Sequence, residues 1–395
     1  MIKYISTNDA VDCYGCRACE QICAQKALHL EPNGEGFLYP ILNLDQCTNC
    51  GLCSKVCPVE KTTTNKVLKT VATRYNDNST LCYSASGGMF LAAAEYTISQ
   101  GGYVAGCVFD EYFNAIHILS NDRNDIRRMQ GSKYVQSNIG NVYIEIRRIL
   151  KQGELVLFSG TPCQVDGLQN FLRKDYDNLY TLDLICHGVP SPKFLQDYLD
   201  ATHRVNGEII DLKFRNKVKN GWCSQGSVNI RSNGKIKEKK ITPFTDSYYY
   251  YYLKNSISRI CCYSCKYSST NRVGDITIGD YWNLQDVLPS FDSKNGASVA
   301  LINTNKGLLL FDKIRKTLIS EETTLEDAVR GNGNLSEPCK MPSNRLNIYK
   351  RIAKEGYIAV EKDECNYQYV IPVIKRMIPK PFKMLVNKIL KYTIR

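Results

Sequence analysis

"CYGCRACEQIC" occupies residues 13–23, and its spacing returns as "CTNCGLCSKVCP" at residues 47–58. Each run reads C-x2-C-x2-C-x3-C, so the chain builds the same group of four thiols twice near its start. Eighteen cysteines in 395 residues are many. In an exported chain they would suggest disulfides, but "MIKYISTNDAVDC" has neither the apolar core nor the small-residue cleavage site of an export signal. Metal binding in a reducing cytoplasm is therefore the expected context. No run of eighteen apolar residues is present, so no membrane-spanning helix is expected. An apolar fraction of 43% and a charged fraction of 23% suit a soluble globular protein, and the length suggests two or three domains.

Zinc sites use two pairs of cysteines separated by a longer loop, which these runs do not provide. Three thiols at two-residue steps instead wrap one face of an iron–sulfur cubane. In two-cluster bacterial ferredoxins the fourth cysteine of each run crosses to the other cluster. Crossed ligation assigns Cys13, Cys16, Cys19 and Cys57 to one [4Fe-4S] cluster. The second takes Cys47, Cys50, Cys53 and Cys23. Ala24 stands where that pattern carries proline, and Pro58 keeps it; proline is no ligand, so the donor sets are unaffected. Such clusters relay single electrons, so the rest of the chemistry has to lie downstream.

Residues 1–62 read as the cluster module, in which "ALHLEPNGEGFLYPIL" forms two short strands around a turn at Asn33–Gly36. Residues 63–80, polar and Thr-rich, read as a linker. Residues 81–335 alternate strands and helices, with an approximate internal division near residue 155. "MFLAAAEYTISQG" predicts a helix closed by Gly101, "GYVAGCVFD" a buried strand, and "NVYIEIRRILKQG" a helix closed by Gly153. "ELVLFSG", "QVDGLQNFLRKDY" and "LYTLDLIC" continue as strand, helix and strand, which predicts a mixed α/β domain with some parallel pairing. Beyond about Glu208 the pattern is strand-rich. Residues 336–395 read as an extension ending in a basic amphipathic helix, with Phe382, Leu385, Val386, Ile389 and Leu390 on one face.

Five stretches carry a more specific signal. They are "SASGGMF" (84–90), "QGSKYVQS" (130–137), "FSGTPCQVDGL" (158–168), "DLICHGVPSP" (183–192) and "CCYSCKYSSTNRVGDITIGDYW" (261–282). Following the cysteine head in this order, they resemble the family of beta subunits of coenzyme F420 hydrogenases and dehydrogenases from about Cys13 to Trp282. The resemblance implies an α+β protein: a ferredoxin-like domain followed by a mixed α/β flavin-binding domain of that family's type. It also implies FAD, iron–sulfur clusters and electron passage to a hydride-carrying partner, whether a deazaflavin, a chlorophyll derivative or another small molecule. By resemblance, Ser84, Ser86, Gly87, Gly88, Ser132, Lys133, Tyr134, Gln136 and Thr161 are assigned to the flavin. From the residues alone, "SASGG" is equally a phosphate cradle or an N-cap with a tight turn. "GSKYVQS" is equally a cofactor loop or a surface turn. "GTPCQ" and "ICHGVPSP" each follow a buried strand, where α/β folds place ligands.

Cys163, Cys186, Cys262 and Cys265 are enough for a third [4Fe-4S] cluster beside the flavin, with Cys261 as substitute; the alternative is buried free thiols. Cys82, Cys107, Cys223, Cys339 and Cys365 have no ligand-like spacing and read as core or incidental. His187 is a candidate proton donor because imidazole titrates near neutrality, and Lys133 is a second. Arg272, Asp275 and Asp280 match the family's pattern and orient the cluster loop, contact cofactor or pair with each other.

The net charge of +12 is uneven: residues 1–60 carry four Lys/Arg and seven Asp/Glu, and residues 371–395 carry seven Lys/Arg and no acid. That distribution does not form one nucleic-acid surface. The basic tail suits docking on the protein's own core or on a partner, or peripheral contact with the inner face of a membrane. The expected function is an iron–sulfur flavoprotein oxidoreductase exchanging hydride with a coenzyme F420-like or other small molecule and electrons with a partner protein. The alternatives are a non-catalytic electron-transfer subunit and a standalone reductase in sugar or surface-polysaccharide metabolism.

Overall fold

The computed structural model describes residues 2–218 and 221–364. The cysteine head contains a hairpin of β1 (Leu28–Pro32) and β2 (Leu38–Leu42). At its turn the Asn33 side chain accepts from the backbone N–H groups of Glu35 and Phe37, and Gly36 takes φ +85. This is the Asx-type turn expected of an Asn–Gly pair between strands.

An eight-stranded sheet forms the body. It comprises β3 (Lys69–Tyr75), β4 (Tyr103–Phe109), β5 (Ala115–Ser120), β6 (Val156–Gly160), β7 (Leu179–Leu184), β11 (Ile276–Asp280), β12 (Ser298–Ile302) and β13 (Leu318–Thr323). A second sheet of three antiparallel strands holds β8 (Glu208–Lys213), β9 (Gly226–Ser232) and β10 (Lys235–Ile241). The large sheet runs β13-β3-β12-β11-β7-β6-β4-β5. Its centre is parallel, β11 with β7, β7 with β6 and β6 with β4, and the flanking pairs are antiparallel. Helices Met89–Ser99, Val142–Lys151 and Pro162–Leu172 cover it where the sequence predicts them. Parallel strands need such crossovers, and strands covered on both faces read as continuous apolar runs.

One expectation is corrected. The stretch read as a linker supplies β3, which pairs with both β12 and β13. Thr70 and Thr73 gave it a polar look, but small β-branched residues fit a buried strand, and Thr70, Val71, Ala72 and Thr73 are all buried. The boundary near residue 155 divides two sequence regions within one continuous sheet, because β6 sits beside β4 and the late strands β11 to β13 return to the same sheet. The predicted amphipathic helix at residues 382–391 and Cys365 lie outside the described residues. Among the described residues no helix is long and apolar enough to cross a membrane.

Candidate functional site

The two cysteine runs fold alike. Gly15 and Asn49, one residue before the second cysteine, both take positive φ, as do Arg17 and Gly51, one residue after it. Left-handed residues alternating through a tight loop turn backbone N–H groups inward, the concavity that receives anionic clusters. Gly15 N–H already donates to Cys13 Sγ at 3.3 Å. Burial pushes the Cys16 and Cys19 thiols well up, and neighbouring Cys13 and Cys57 add to both shifts. Cys57, pushed up to about 11 by burial, feels Cys13 in turn. Cys57 of the second run therefore lies near Cys13, Cys16 and Cys19, and Cys19 also feels Cys53. Of the other set, Cys23, Cys47 and Cys53 are half-buried and Cys50 is exposed. Among the described residues no three Cys, His, Asp or Glu groups converge tightly enough to hold a single metal ion.

The head packs directly on helix Pro162–Leu172. A methyl group at Gly167 would stand 3.0 Å from Cys16 Sγ, so a glycine inside this helix makes room for the cysteine. Arg259, fully buried, donates to Cys13 O at 2.9 Å, Leu38 O at 2.9 Å and Gln136 Oε1 at 3.1 Å. It ties the head to the loop that carries Cys261, Cys262 and Cys265.

A cavity of about 480 Å³ opens at the carboxyl ends of the parallel strands. Ser84, Ser86 and Gly88 form one end, at the N-terminus of helix Met89–Ser99, with Gly88 at φ +81. Ser132, Lys133, Tyr134, Gln136, Thr161, Cys163, Cys186 and His187 also line it. A small adjoining cavity is lined by Cys163, Cys186, Cys261, Cys262 and Cys265, together with Thr161, His187, Tyr14 and Arg259. Cys163 and Cys186 thus belong to both walls. Burial pushes all four candidate thiols of the third cluster up, except that for Cys262 the contact with Cys261 is the larger cause.

Several assigned side chains are committed elsewhere. Gly87 is absent from the cavity wall: its N–H is held by Ser298 Oγ, and any side chain would collide with Thr73 O and Ser298 N. Lys133 Nζ donates to the carbonyls of Arg128, Met129 and Gln130 at 2.7–3.0 Å, closing the end of helix Arg123–Met129. Burial lowers its pKa to about 8, and Gly131 O at 3.2 Å is a fourth carbonyl about the ammonium. Tyr134 stacks on Tyr252 at 4.3 Å, so one ring face is already covered. The Gln136 amide donates to Tyr14 O at 3.0 Å and joins the head interface. Thr161 caps helix Pro162–Leu172 and lies 3.2 Å from Cys163 Sγ. Ser86 donates to Ala297 O at 2.7 Å and Ser84 accepts from Gln130.

His187 faces both cavities; burial lowers its pKa and the Asp280 carboxylate partly offsets this. Arg272 and Asp183 pair at 3.0 Å, and Asp275 accepts from Thr181, so both belong to the framework beneath the site. Asp280 lines the cavity itself.

Sequence reasoning passed over four cavity groups. His117, with its Nε2 3.1 Å from Ser159 O, is held by burial at a pKa of about 4. Arg215, Trp282 and Tyr252 also line the wall. Cys339, read as incidental, has its sulfur 4.0 Å from Cys262 O and is pushed up to about 12 by burial and then by Cys262 and Cys265. Trp282 closes the stretch at 261–282 without having been given a role, and the others have no local spacing signal, because each is brought in by a different part of the chain.

Residues 153–328 match the family model for the C terminus of the beta subunit of coenzyme F420 hydrogenase/dehydrogenase. Residues 12–61 match the 4Fe-4S dicluster domain. The coenzyme F420-dependent sulfite reductase of Methanocaldococcus jannaschii is 24% identical over 388 residues, 92% of this chain and 53% of that protein, so the chain spans about half of that relative's length. One subunit of the F(420)H(2) dehydrogenase of Methanosarcina mazei is 22% identical over 286 residues, 69% of this chain and 77% of that one. A chain of the F420-reducing [NiFe] hydrogenase complex from Methanosarcina barkeri superposes with a TM-score of 0.43 and 16% identity, covering 80% of this chain and 95% of that chain. The chain therefore carries, at residues 153–328, the C-terminal region typical of coenzyme F420 hydrogenase/dehydrogenase beta subunits and, at residues 12–61, a dicluster domain for two [4Fe-4S] clusters.

Proposed function

We propose that this chain is an iron–sulfur flavoprotein oxidoreductase that exchanges electrons through its cysteine head and hydride with a coenzyme F420-like or other small molecule. The observation that carries this is the shared wall: Cys163 and Cys186 line the large cavity and the small cysteine-lined one alike. Cys163, Cys186, Cys262 and Cys265 are the residues that would hold a third cluster, and the cavity from Ser84 to His187 is the one that would hold FAD. A flavin bound there supplies the conversion between single electrons and a hydride. The start of helix Met89–Ser99 suits its diphosphate, since unpaired N–H groups and the helix dipole favour anions. His187, kept neutral by burial, is placed to hold a proton at the cluster-side end.

Anaerobic purification with iron and flavin analysis tests the proposal. One FAD and about twelve irons per chain are expected for three cubanes. About eight irons in a fully reconstituted sample would remove the third cluster, and absence of bound flavin would remove the hydride chemistry. A second reading, an electron-transfer subunit that feeds a partner enzyme, is favoured by the exposed Cys50, which puts one cysteine group within a partner's reach. Turnover of deazaflavin or another acceptor by the isolated chain separates the two.

A further inference from the structure

Resting on the proposal that the large cavity is the flavin and substrate site, we infer that Arg215 is its anion-recognition residue. Through Nε and Nη2 it would take a planar pair of acceptor atoms on the bound ligand. Arg215 lines the cavity, and its side chain is 1% exposed. One end is fixed: Nη1 lies 3.1 Å from Asp280 Oδ2 and 3.5 Å from the Tyr134 hydroxyl. The other edge is not, because Nε and Nη2 have no hydrogen-bond partner among the described residues. Nε and Nη2 form the side-on fork of a guanidinium, the edge that matches a carboxylate in two parallel hydrogen bonds. Leaving two buried donors unmade is costly, so the arrangement is completed by an acceptor.

The local charge points the same way. Lys217, also buried, donates to Ser86 O at 2.7 Å and Asn295 O at 2.6 Å, and burial together with the neighbouring Arg215 lowers its pKa to about 8. Asp280 is the carboxylate that acts on both cations, so this wall carries excess positive charge. Lys217, bonded to Ser86 O, brings part of that charge to the end of the cavity that holds the helix terminus at Gly88, and the open edge of Arg215 adds a further position for an acceptor. The guanidinium is held flat by aromatic rings: it lies 5.2 Å from the Trp282 ring, which stacks on Trp222 at 5.1 Å and 6°. Trp222 Nε1 in turn donates to Asp280 Oδ1 at 3.0 Å.

Two sources carry this acceptor chemistry. One is the pyrimidine edge of the flavin, whose N1 and C2 carbonyl are adjacent acceptors; the other is a carboxylate on the substrate. Trp222 and Trp282 are the chain's two tryptophans, so intrinsic fluorescence reports this site with or without flavin. The experiment titrates benzoate, with benzamide as the neutral control, into the full chain and its R215Q and R215K variants while following tryptophan fluorescence. FAD affinity and flavin midpoint potential are measured on the same proteins.

A substrate-borne anion predicts that R215Q weakens benzoate by about tenfold or more with FAD affinity and potential unchanged, and that R215K falls between because it keeps charge but loses the fork. A flavin-borne acceptor predicts that R215Q weakens FAD or lowers its potential and leaves benzoate unaffected. Unchanged ligand affinities and potential in R215Q overturn the inference, even if its melting temperature falls, because a purely structural ion pair behaves that way. Wild-type protein that binds benzoate through Arg215 but no FAD removes the flavin reading and keeps this one. Binding of neither overturns both.

Discussion

At the scale of single residues, the cysteines carry the most information. Cys23 belongs by sequence to the run of Cys13, Cys16 and Cys19, yet it is Cys57 of the other run that acts on the Cys16 and Cys19 thiols. Cys23→Ala is therefore expected to damage the cluster of Cys47, Cys50 and Cys53. EPR of the reduced variant should retain the signal of the Cys13 cluster; loss of that signal with the other intact would contradict crossed ligation. His117 makes a different kind of statement. Its folded pKa of about 4 is below the unfolded value near 6.5, so the unfolded chain binds the proton first as pH falls. The stability it contributes is fully present above pH 6.5 and declines through the window down to about 4, reaching a loss of about 2 kcal/mol by pH 5. His117→Asn, which keeps a donor for Ser159 O, should show a smaller drop in urea stability between pH 7 and pH 5 than the parent. An equal drop would assign the acid sensitivity elsewhere.

At the scale of elements, periodicity was enough wherever a segment packs by itself. Helix Met89–Ser99 closes before Gly101 at φ +78, and helix Val142–Lys151 before Gly153 at φ +87, as their glycines predict. The β9–β10 hairpin turns at Asn233–Gly234, both at positive φ, which is the signature of that dipeptide. β3 was not legible, because what makes a polar-looking segment a buried strand is the pair of neighbours that arrive more than 200 residues later. The same limit hid Arg215, which is placed by Asp280 and Trp282 rather than by anything beside it in the chain. It also made Gly87 look like a ligand contact when its lack of a side chain serves packing. Gly87→Ala would push a methyl into the β3 and β12 backbones, and overpacking of this kind costs about 1–3 kcal/mol. A melting curve should show the loss with flavin absent as well as present. Destabilisation confined to the flavin-bound protein would restore a binding role.

At the scale of the whole molecule, buried arginines hold the head, the cavity and the cysteine loop together. Arg345, fully buried, makes a two-pronged pair with Glu35 of the head hairpin and donates to Ser258 O at 2.8 Å and 3.1 Å. Arg259 makes a similar tie from the residue after Ser258. Removing Arg345 leaves the Glu35 carboxylate unpaired but partly reached by solvent, and takes two donors from Ser258 O, so the cost is about 1–3 kcal/mol. Arg345→Met should lower stability and, if the Cys262–Cys265 loop holds the proposed third cluster, reduce the iron kept there with head iron preserved. Equal loss from both would mean the arginine serves overall folding alone. The family resemblance reached this level only in outline: it named the parts in order, and the staples between them come from Glu35, Ser258 and Arg345, which no motif contains.

The unequal burial of the head cysteines sets an order of decay in air. Cys16 lies inside the protein while Cys50 stands open to solvent, so dissolved oxygen meets the outer cubane first. On the proposed loading of three equal cubanes and one FAD, a preparation exposed briefly should lose about a third of its iron before any flavin is released. It would keep the colour of its remaining cofactors while its electrical contact with the outside had already been cut.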